Sequence, residues 1–135
     1  MKPAKNFKPT RLELELLGAL WKLGSGSIRE IQESLPAADR PEYTTVQTIV
    51  YRLEEKGAVR RARKIGNAHI FEPLVSQRST FATLIEDFIG TLGGSHEPLV
   101  AHLVESGKIS SAELKEMEKL LKARRAGSAK ATEQK

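Results

Sequence analysis

Three polar side chains recur at helical spacing near the middle of the chain. Thr45, Thr48 and Arg52 are three and four residues apart, which places them along one side of a helix, with Thr44 and Gln47 beside them. Hydroxyl, amide and guanidinium groups at this spacing can hydrogen-bond to phosphates or to base edges. A helix face selected only for solubility favours Glu, Lys and Ala, so three threonines indicate a binding role. The alternative is that Thr44 or Thr45 only caps the start of the helix.

A basic cluster follows this helix. It consists of Arg60, Arg61, Arg63 and Lys64, and no acidic residue lies between Gly57 and Phe71. The net charge of +5 is concentrated in this stretch and in the two termini. Such a patch favours a polyanionic partner, because counterion release on binding contributes free energy.

Capping boxes and apolar periodicity predict the helices that position these groups. Capping boxes occur at Thr10-Arg-Leu-Glu13, Ser27-Ile-Arg-Glu30 and Ser110-Ser-Ala-Glu113. The helix that carries the threonines is predicted over residues 43–56. Its inward face has the i, i+3, i+4, i+7 spacing of an amphipathic helix and consists of Val46, Ile49, Val50 and Leu53.

The periodicity changes after Gly57. Two short strands are predicted around a Gly-Asn turn at residues 66–67, and Pro73 ends the second strand. The order of three helices and a basic hairpin is that of a winged helix-turn-helix, in which the third helix enters the major groove. We therefore expect a mostly α fold with a small β-hairpin, and a DNA-binding domain over residues 1–75.

Residues 76–125 are predicted to form a helical dimerisation arm, and residues 126–135 a disordered basic tail. Fifty residues are too few to bury the apolar faces of this arm alone, so we expect them to pack against a second copy. The alternative is an arm that folds back onto its own first domain. The candidate dimerisation residues are Phe81, Leu84, Ile85, Phe88, Leu99, Leu103, Leu114, Met117 and Leu121.

Composition argues against several other classes of protein. The chain has no cysteine, which excludes disulfides, thiolate metal sites and cysteine nucleophiles. His96 and His102 are six residues apart and diverge on a helix, while His69 lies in a predicted strand. We therefore predict no enzyme activity, no metal or other cofactor and no small-molecule substrate. No apolar run reaches the roughly 18 residues that span a bilayer, and we expect a cytoplasmic protein.

Several motifs together carry a resemblance to a known family. They are Leu14-Glu-Leu-Leu-Gly-Ala-Leu-Trp21, Tyr43-Thr-Thr-Val-Gln-Thr-Ile49, Arg52-Leu-Glu-Glu-Lys-Gly57 and, in the arm, Leu99-Val-Ala-His-Leu-Val-Glu105. With these motifs the chain resembles the penicillinase-repressor family, which includes BlaI/MecI-type and CopY-type repressors. The resemblance covers about residues 9–122.

This resemblance implies a dimeric transcriptional repressor on double-stranded operator DNA, with a palindromic site. BlaI/MecI-type members are inactivated by a membrane-bound sensor protease that cleaves an Asn-Phe bond in the arm, and the matching pair here is Ala101-His102. CopY-type members carry a cysteine-rich metal motif, so this chain cannot sense copper by that route.

One other function remains open from the sequence. A winged helix can serve as a protein–protein docking module without sequence-specific DNA binding. Docking faces favour exposed aromatic residues and leucine, whereas the outward face of the third helix offers mainly threonine, glutamine and arginine.

Overall fold

The computed structural model describes residues 7–133 and the side chains of residues 7–127. Its elements confirm the predicted class, mostly helical with one β-hairpin. They are α1 (Arg11–Leu23), α2 (Ile28–Ser34), α3 (Tyr43–Glu55), β1 (Val59–Ile65), β2 (Ala68–Pro73), α4 (Gln77–Thr91), α5 (Glu97–Glu105) and α6 (Ser111–Glu133). The chain divides into two compact units, the first ending at Phe88 and the second beginning at Ile89.

The three predicted capping boxes are all present. At α1 the Glu13 amide donates to the Thr10 hydroxyl over 3.2 Å, and the Glu13 carboxylate accepts from the Thr10 amide over 2.8 Å. The same reciprocal pattern begins α2 and α6. Each box satisfies backbone N–H groups that have no partner inside the helix, which is why the helix starts can be read locally from the sequence.

The core of the first unit lies between α1, α2, α3 and the hairpin. The four residues predicted for the inward face of α3 are all buried. Phe7, by contrast, was not predicted to pack, and it is only 7% exposed within this core. An isolated aromatic residue in a basic segment shows no periodicity, so sequence patterns do not identify it as a core residue.

The hairpin is antiparallel and is anchored to the loop between α1 and α2. Gly26 and Phe71 exchange two backbone hydrogen bonds of 2.9 Å, which add a bridge to the edge of β2. Gly66 adopts a φ of 61°, the left-handed conformation that a two-residue hairpin loop needs. A β-bulge interrupts the register between Arg61 and Arg63.

Twelve of the fifteen residues of α4, residues 77–88, belong to the first compact unit, which extends beyond the predicted residue 75 to Phe88. The Trp21 indole donates to the Val75 carbonyl over 2.9 Å and lies edge-on to Phe81, with ring centroids 5.9 Å apart. Lys8 forms an ion pair of 2.9 Å with Asp87. These contacts join α4 and the segment just before it to α1 and to the segment that precedes α1. No local sequence pattern at residues 75–76 predicts them.

In the structure α6 continues through Glu133, into the segment that was predicted to be a disordered tail. Residues 126–133 contain three alanines, one lysine and no proline. The alanines and the lysine propagate a helix that earlier turns have already nucleated, whereas Gly127 opposes it. Residues 134 and 135 lie outside the described part of the chain.

A buried carboxylate links α1 to the end of α3. Glu13 is 2% exposed, and Lys56 donates to its Oε1 over 2.8 Å. Burial raises the pKa of the Glu13 carboxyl, but the hydrogen bond and charge of Lys56, together with the hydrogen bonds of Thr10, outweigh burial and hold the pKa below its ordinary value of 4.5. The ion pair therefore fixes the carboxyl end of α3 relative to α1.

We expect Glu13→Gln to lower the free energy of unfolding by about 1–3 kcal/mol at neutral pH. Glutamine can still complete the capping box, so the loss isolates the interaction with Lys56. The contribution is fully present above the unfolded pKa and is lost as the pH falls through the depressed folded value. Urea unfolding at several pH values should therefore show the wild type and the variant converging below about pH 4. A constant difference down to about pH 3 would contradict this assignment.

Candidate nucleic-acid interface

The outward face of α3 carries the predicted polar side chains. Thr44, Thr45, Thr48 and Arg52 are exposed, and Gln47 is half-buried. The N-cap of α3 is Glu42, which makes no side-chain capping hydrogen bond. Thr44 and Thr45 therefore lie inside the helix, and the alternative that one of them only caps it is wrong.

Two of these side chains are already oriented by neighbours on the helix. The Thr48 hydroxyl donates to the Thr44 carbonyl over 2.9 Å, so its lone pairs remain available as acceptors. The Gln47 amide nitrogen donates to the Tyr51 hydroxyl over 3.2 Å. Acceptor groups match the amino donors on adenine and cytosine edges in the major groove, whereas phosphate oxygens offer no donor.

The β-bulge distributes the four basic side chains of the hairpin over both of its faces. Arg61 pairs with Phe71 and Lys64 with His69, and strand alternation in β2 places both pairs on one face. Arg60 and Arg63 lie on the opposite face, across from Glu72 and Ile70 respectively. Simple alternation would have placed Arg61 and Arg63 on the same face, so the bulge decides which basic side chains act together.

Two of the four basic side chains are paired with acids just outside the basic stretch. Arg60 forms an ion pair with Glu72, and Arg61 binds both carboxylate oxygens of Glu54 over 2.9 and 3.2 Å. Among the side chains of residues 7–127, Arg52, Arg63 and Lys64 make no ion pair. Uncompensated positive charge is therefore carried by the last turn of α3 and the distal part of β1.

A cleft of about 270 Å³ lies between α2, α3 and the hairpin. Its walls include Arg29, Tyr43, Tyr51, Asn67 and His69, none of which was among the candidate binding residues. The Arg29 guanidinium lies 6.0 Å from the Tyr43 ring centroid. Of these residues, the two tyrosines could have been identified from the sequence. They lie on the outward side of α3, and exposed aromatic rings are uncommon on a purely solvated helix.

The described side chains show no sign of a metal site or of a membrane span. In residues 7–127, no three histidine, aspartate or glutamate side chains lie close enough together to hold a metal ion. Over the same residues, the helices are too short or too polar to cross a bilayer.

The penicillinase repressor family model matches residues 9–123 of the chain. The chain belongs to the penicillinase repressor family. This membership confirms the resemblance seen in the motifs and, with it, the predicted role of a transcriptional repressor.

Two relatives found by sequence agree with that assignment. A penicillinase repressor from Bacillus licheniformis is 24% identical over 110 residues, which is 81% of this chain and 85% of the relative. The transcriptional regulator BlaI from Mycobacterium tuberculosis is 30% identical over 97 residues, which is 70% of each chain. The solution structure of the DNA-binding domain of the repressor BlaI aligns with a TM-score of 0.49 and 28% identity, over 58% of this chain and 93% of that domain.

The repressor leaves most of its predicted dimerisation residues exposed. Leu84, Leu99 and Leu103 are half-buried. The remaining six have between 40% and 52% of their surface exposed: Phe81, Ile85, Phe88, Leu114, Met117 and Leu121. Leu92, Val100, Val104 and Leu120, which the candidate set omitted, are also exposed. No described side chain of α5 or α6 is buried.

The predicted cleavage pair of the repressor lies inside a helix. Ala101 and His102 occupy the middle of α5, and both side chains are exposed. The peptide bond between them is held by helical hydrogen bonds on either side. A protease would need local unwinding of α5 before it could bind this bond in an extended conformation.

Proposed function

We propose that this repressor binds palindromic operator DNA as a homodimer, with α3 in the major groove and the hairpin along the adjacent backbone. The observation that carries the proposal is the exposed polar face of α3 beside a hairpin that presents unpaired basic groups. The side chains proposed for the groove are Thr44, Thr45, Gln47, Thr48 and Arg52. Arg63 and Lys64 are proposed to bind phosphates, with Arg60 a weaker contact because Glu72 already neutralises it.

The exposed apolar side chains support the proposal of a homodimer. α5 and α6 bury none of their described side chains, and helices with so little burial do not offset the entropy lost on ordering them. A second copy would cover Met117, Leu121 and their neighbours without requiring any other partner. Two-fold symmetry would then present two α3 helices to two half-sites of a palindrome.

Salt titration of DNA binding tests the proposal. We expect the affinity for promoter DNA to fall steeply with salt and to differ strongly between specific and random sequences. The double variant Arg63→Gln/Lys64→Gln should weaken binding to all DNA and flatten the salt slope by about 1 for each phosphate that the variant no longer binds. The variant Lys22→Gln/Lys108→Gln, which removes the same charge outside α3 and the hairpin, is the control. A protein docking module would show neither a salt slope nor a sequence preference.

We also propose that release from DNA involves a membrane-bound sensor protease acting on the bond between Ala101 and His102. Cleavage there would separate α6 and its apolar residues from the DNA-binding unit and so weaken the dimer. Mass spectrometry of the chain recovered from induced cells would show whether a fragment ends at Ala101. The proposal places the repressor in the cytoplasm, because the operator DNA of a bacterial repressor lies there.

A further inference from the structure

Arg61 is exposed, but both the charged edge and the flat face of its guanidinium contact other side chains of the protein. Its Nε and Nη2 donate to the two carboxylate oxygens of Glu54 over 2.9 and 3.2 Å. Its guanidinium carbon lies 5.2 Å from the ring centroid of Tyr51 and 5.6 Å from that of Phe71. The bidentate pairing and the stacking fix this side chain in both distance and orientation.

These contacts join the hairpin to the outward face of α3. Glu54 and Tyr51 belong to α3, whereas Arg61 and Phe71 belong to β1 and β2. Tyr51 also contacts Phe71 directly, with centroids 6.5 Å apart, and its hydroxyl accepts the hydrogen bond from Gln47. A continuous set of contacts therefore runs from the base of the hairpin through Tyr51 to the Gln47 amide.

The same contacts make Arg61 a poor phosphate ligand. The carboxylate of Glu54 neutralises its charge and occupies two of its five N–H donors. A phosphate bound here would approach the Glu54 carboxylate as well, and the two anions would repel each other. The contribution of Arg61 to counterion release is correspondingly small.

We propose that Arg61 is a positioning residue, which sets the angle of the hairpin to α3 and orients Gln47 for reading a base, rather than a phosphate contact. This inference rests on the proposed binding of α3 in the major groove. It also revises the sequence-based expectation for Arg61, because it assigns the residue to specificity instead of to general affinity. Glutamine oriented in this way suits the N6/N7 edge of adenine.

Glu54→Gln separates this proposal from simple electrostatics, since the two predict changes in different quantities. Removing an acidic charge near DNA should tighten binding to every sequence if charge alone matters. If Glu54 holds Arg61 in position, the ratio of specific to random-sequence affinity should instead fall roughly tenfold. Glu55→Gln removes the same charge at the next position, which is exposed. Glu55 makes no ion pair among the described side chains, so this variant should leave the ratio of specific to random-sequence affinity unchanged.

Arg61→Lys is a second test of the proposal. Lysine keeps the positive charge but lacks the bidentate N–H donors and the planar surface with which the guanidinium stacks on aromatic rings. We expect the specificity ratio to fall while the salt slope stays at the wild-type value. The double variant with Glu54→Gln should lose no more than either single variant, since all of them break the same interaction. An Arg61→Lys protein with unchanged specificity would overturn the proposal.

A measurement without DNA distinguishes failure of this inference from failure of the proposed function. In the free, full-length repressor, the side-chain amide resonances of Gln47 should shift in Arg61→Lys and in Glu54→Gln, but not in Arg63→Gln. Unchanged Gln47 resonances would overturn the positioning role even if the protein binds its operator. Conversely, shifted resonances in a protein that binds no DNA would support the contact network and contradict the proposed function alone.

Discussion

A chain carrying Met117→Glu is expected to be monomeric and to bind operator DNA about 10²- to 10⁴-fold more weakly than the wild type. Met117 is 46% exposed on α6, beside Leu114 and Leu121. A carboxylate buried in an apolar dimer interface has no partner there, and its desolvation opposes association. Without the dimer, each chain binds one half-site alone, and the affinity gained by linking the two half-site contacts is lost.

Lys119→Gln is the matched control for this substitution. It changes the net charge by the same −1, but Lys119 lies about 200° around α6 from Met117. Its ion pair with Glu116 is exposed and 3.4 Å long, so its loss should cost little stability. Sedimentation equilibrium reports the oligomeric state and gel shift the affinity. A Met117→Glu chain that remains dimeric would show that this face of α6 does not join the two copies.

Arg52→Ala is expected to cost about 1–3 kcal/mol of binding free energy at each half-site, and so about twice that in the dimer. Arg52 is exposed in the last turn of α3 and has no ion-pair partner among the side chains that the structure describes. Alanine is a better helix former than arginine, so the fold should not change. The loss should be largest on the cognate operator, with relaxed preference at one base pair of each half-site.

A set of operators substituted at single positions measures this effect by fluorescence anisotropy. Arg11→Ala removes the same charge from α1, where the side chain is almost fully exposed, and serves as the control. An equal loss on every sequence would mean that Arg52 binds a phosphate rather than a base.

Local features of the chain were readable because they depend on neighbours in sequence. Thr10 and Glu13 indicate the start of α1, because the hydrogen bonds of their capping box span only three residues. Apolar spacing of three and four identifies the buried face of α3, and with it the polar face that remains outside. The predicted order of elements and the positions of the threonines on α3 follow from these two rules.

The roles of individual charged residues could not be read in the same way. Arg60, Arg61 and Arg63 look equivalent in a basic run, yet Arg60 and Arg61 have acidic partners and the bulge moves Arg63 to the other face. The register of a strand pair and its bulges depend on the turn and on packing across the hairpin, not on the composition of one strand. The sequence therefore identified the segment that forms the candidate interface, but it did not show which role each basic residue of that segment has.

The amino-acid sequence by itself determined the starts of α1, α2 and α6, the hairpin and the polar face of α3, since hydrogen bonds and periodicity within a few residues specify them. Only the tertiary structure decided that Glu13 meets Lys56, that Phe7 joins the core, and that α4 begins in the first unit. It also decided which basic side chains of the hairpin keep a free charge. Contacts between residues distant in sequence depend on how whole elements pack, and no local pattern encodes that arrangement.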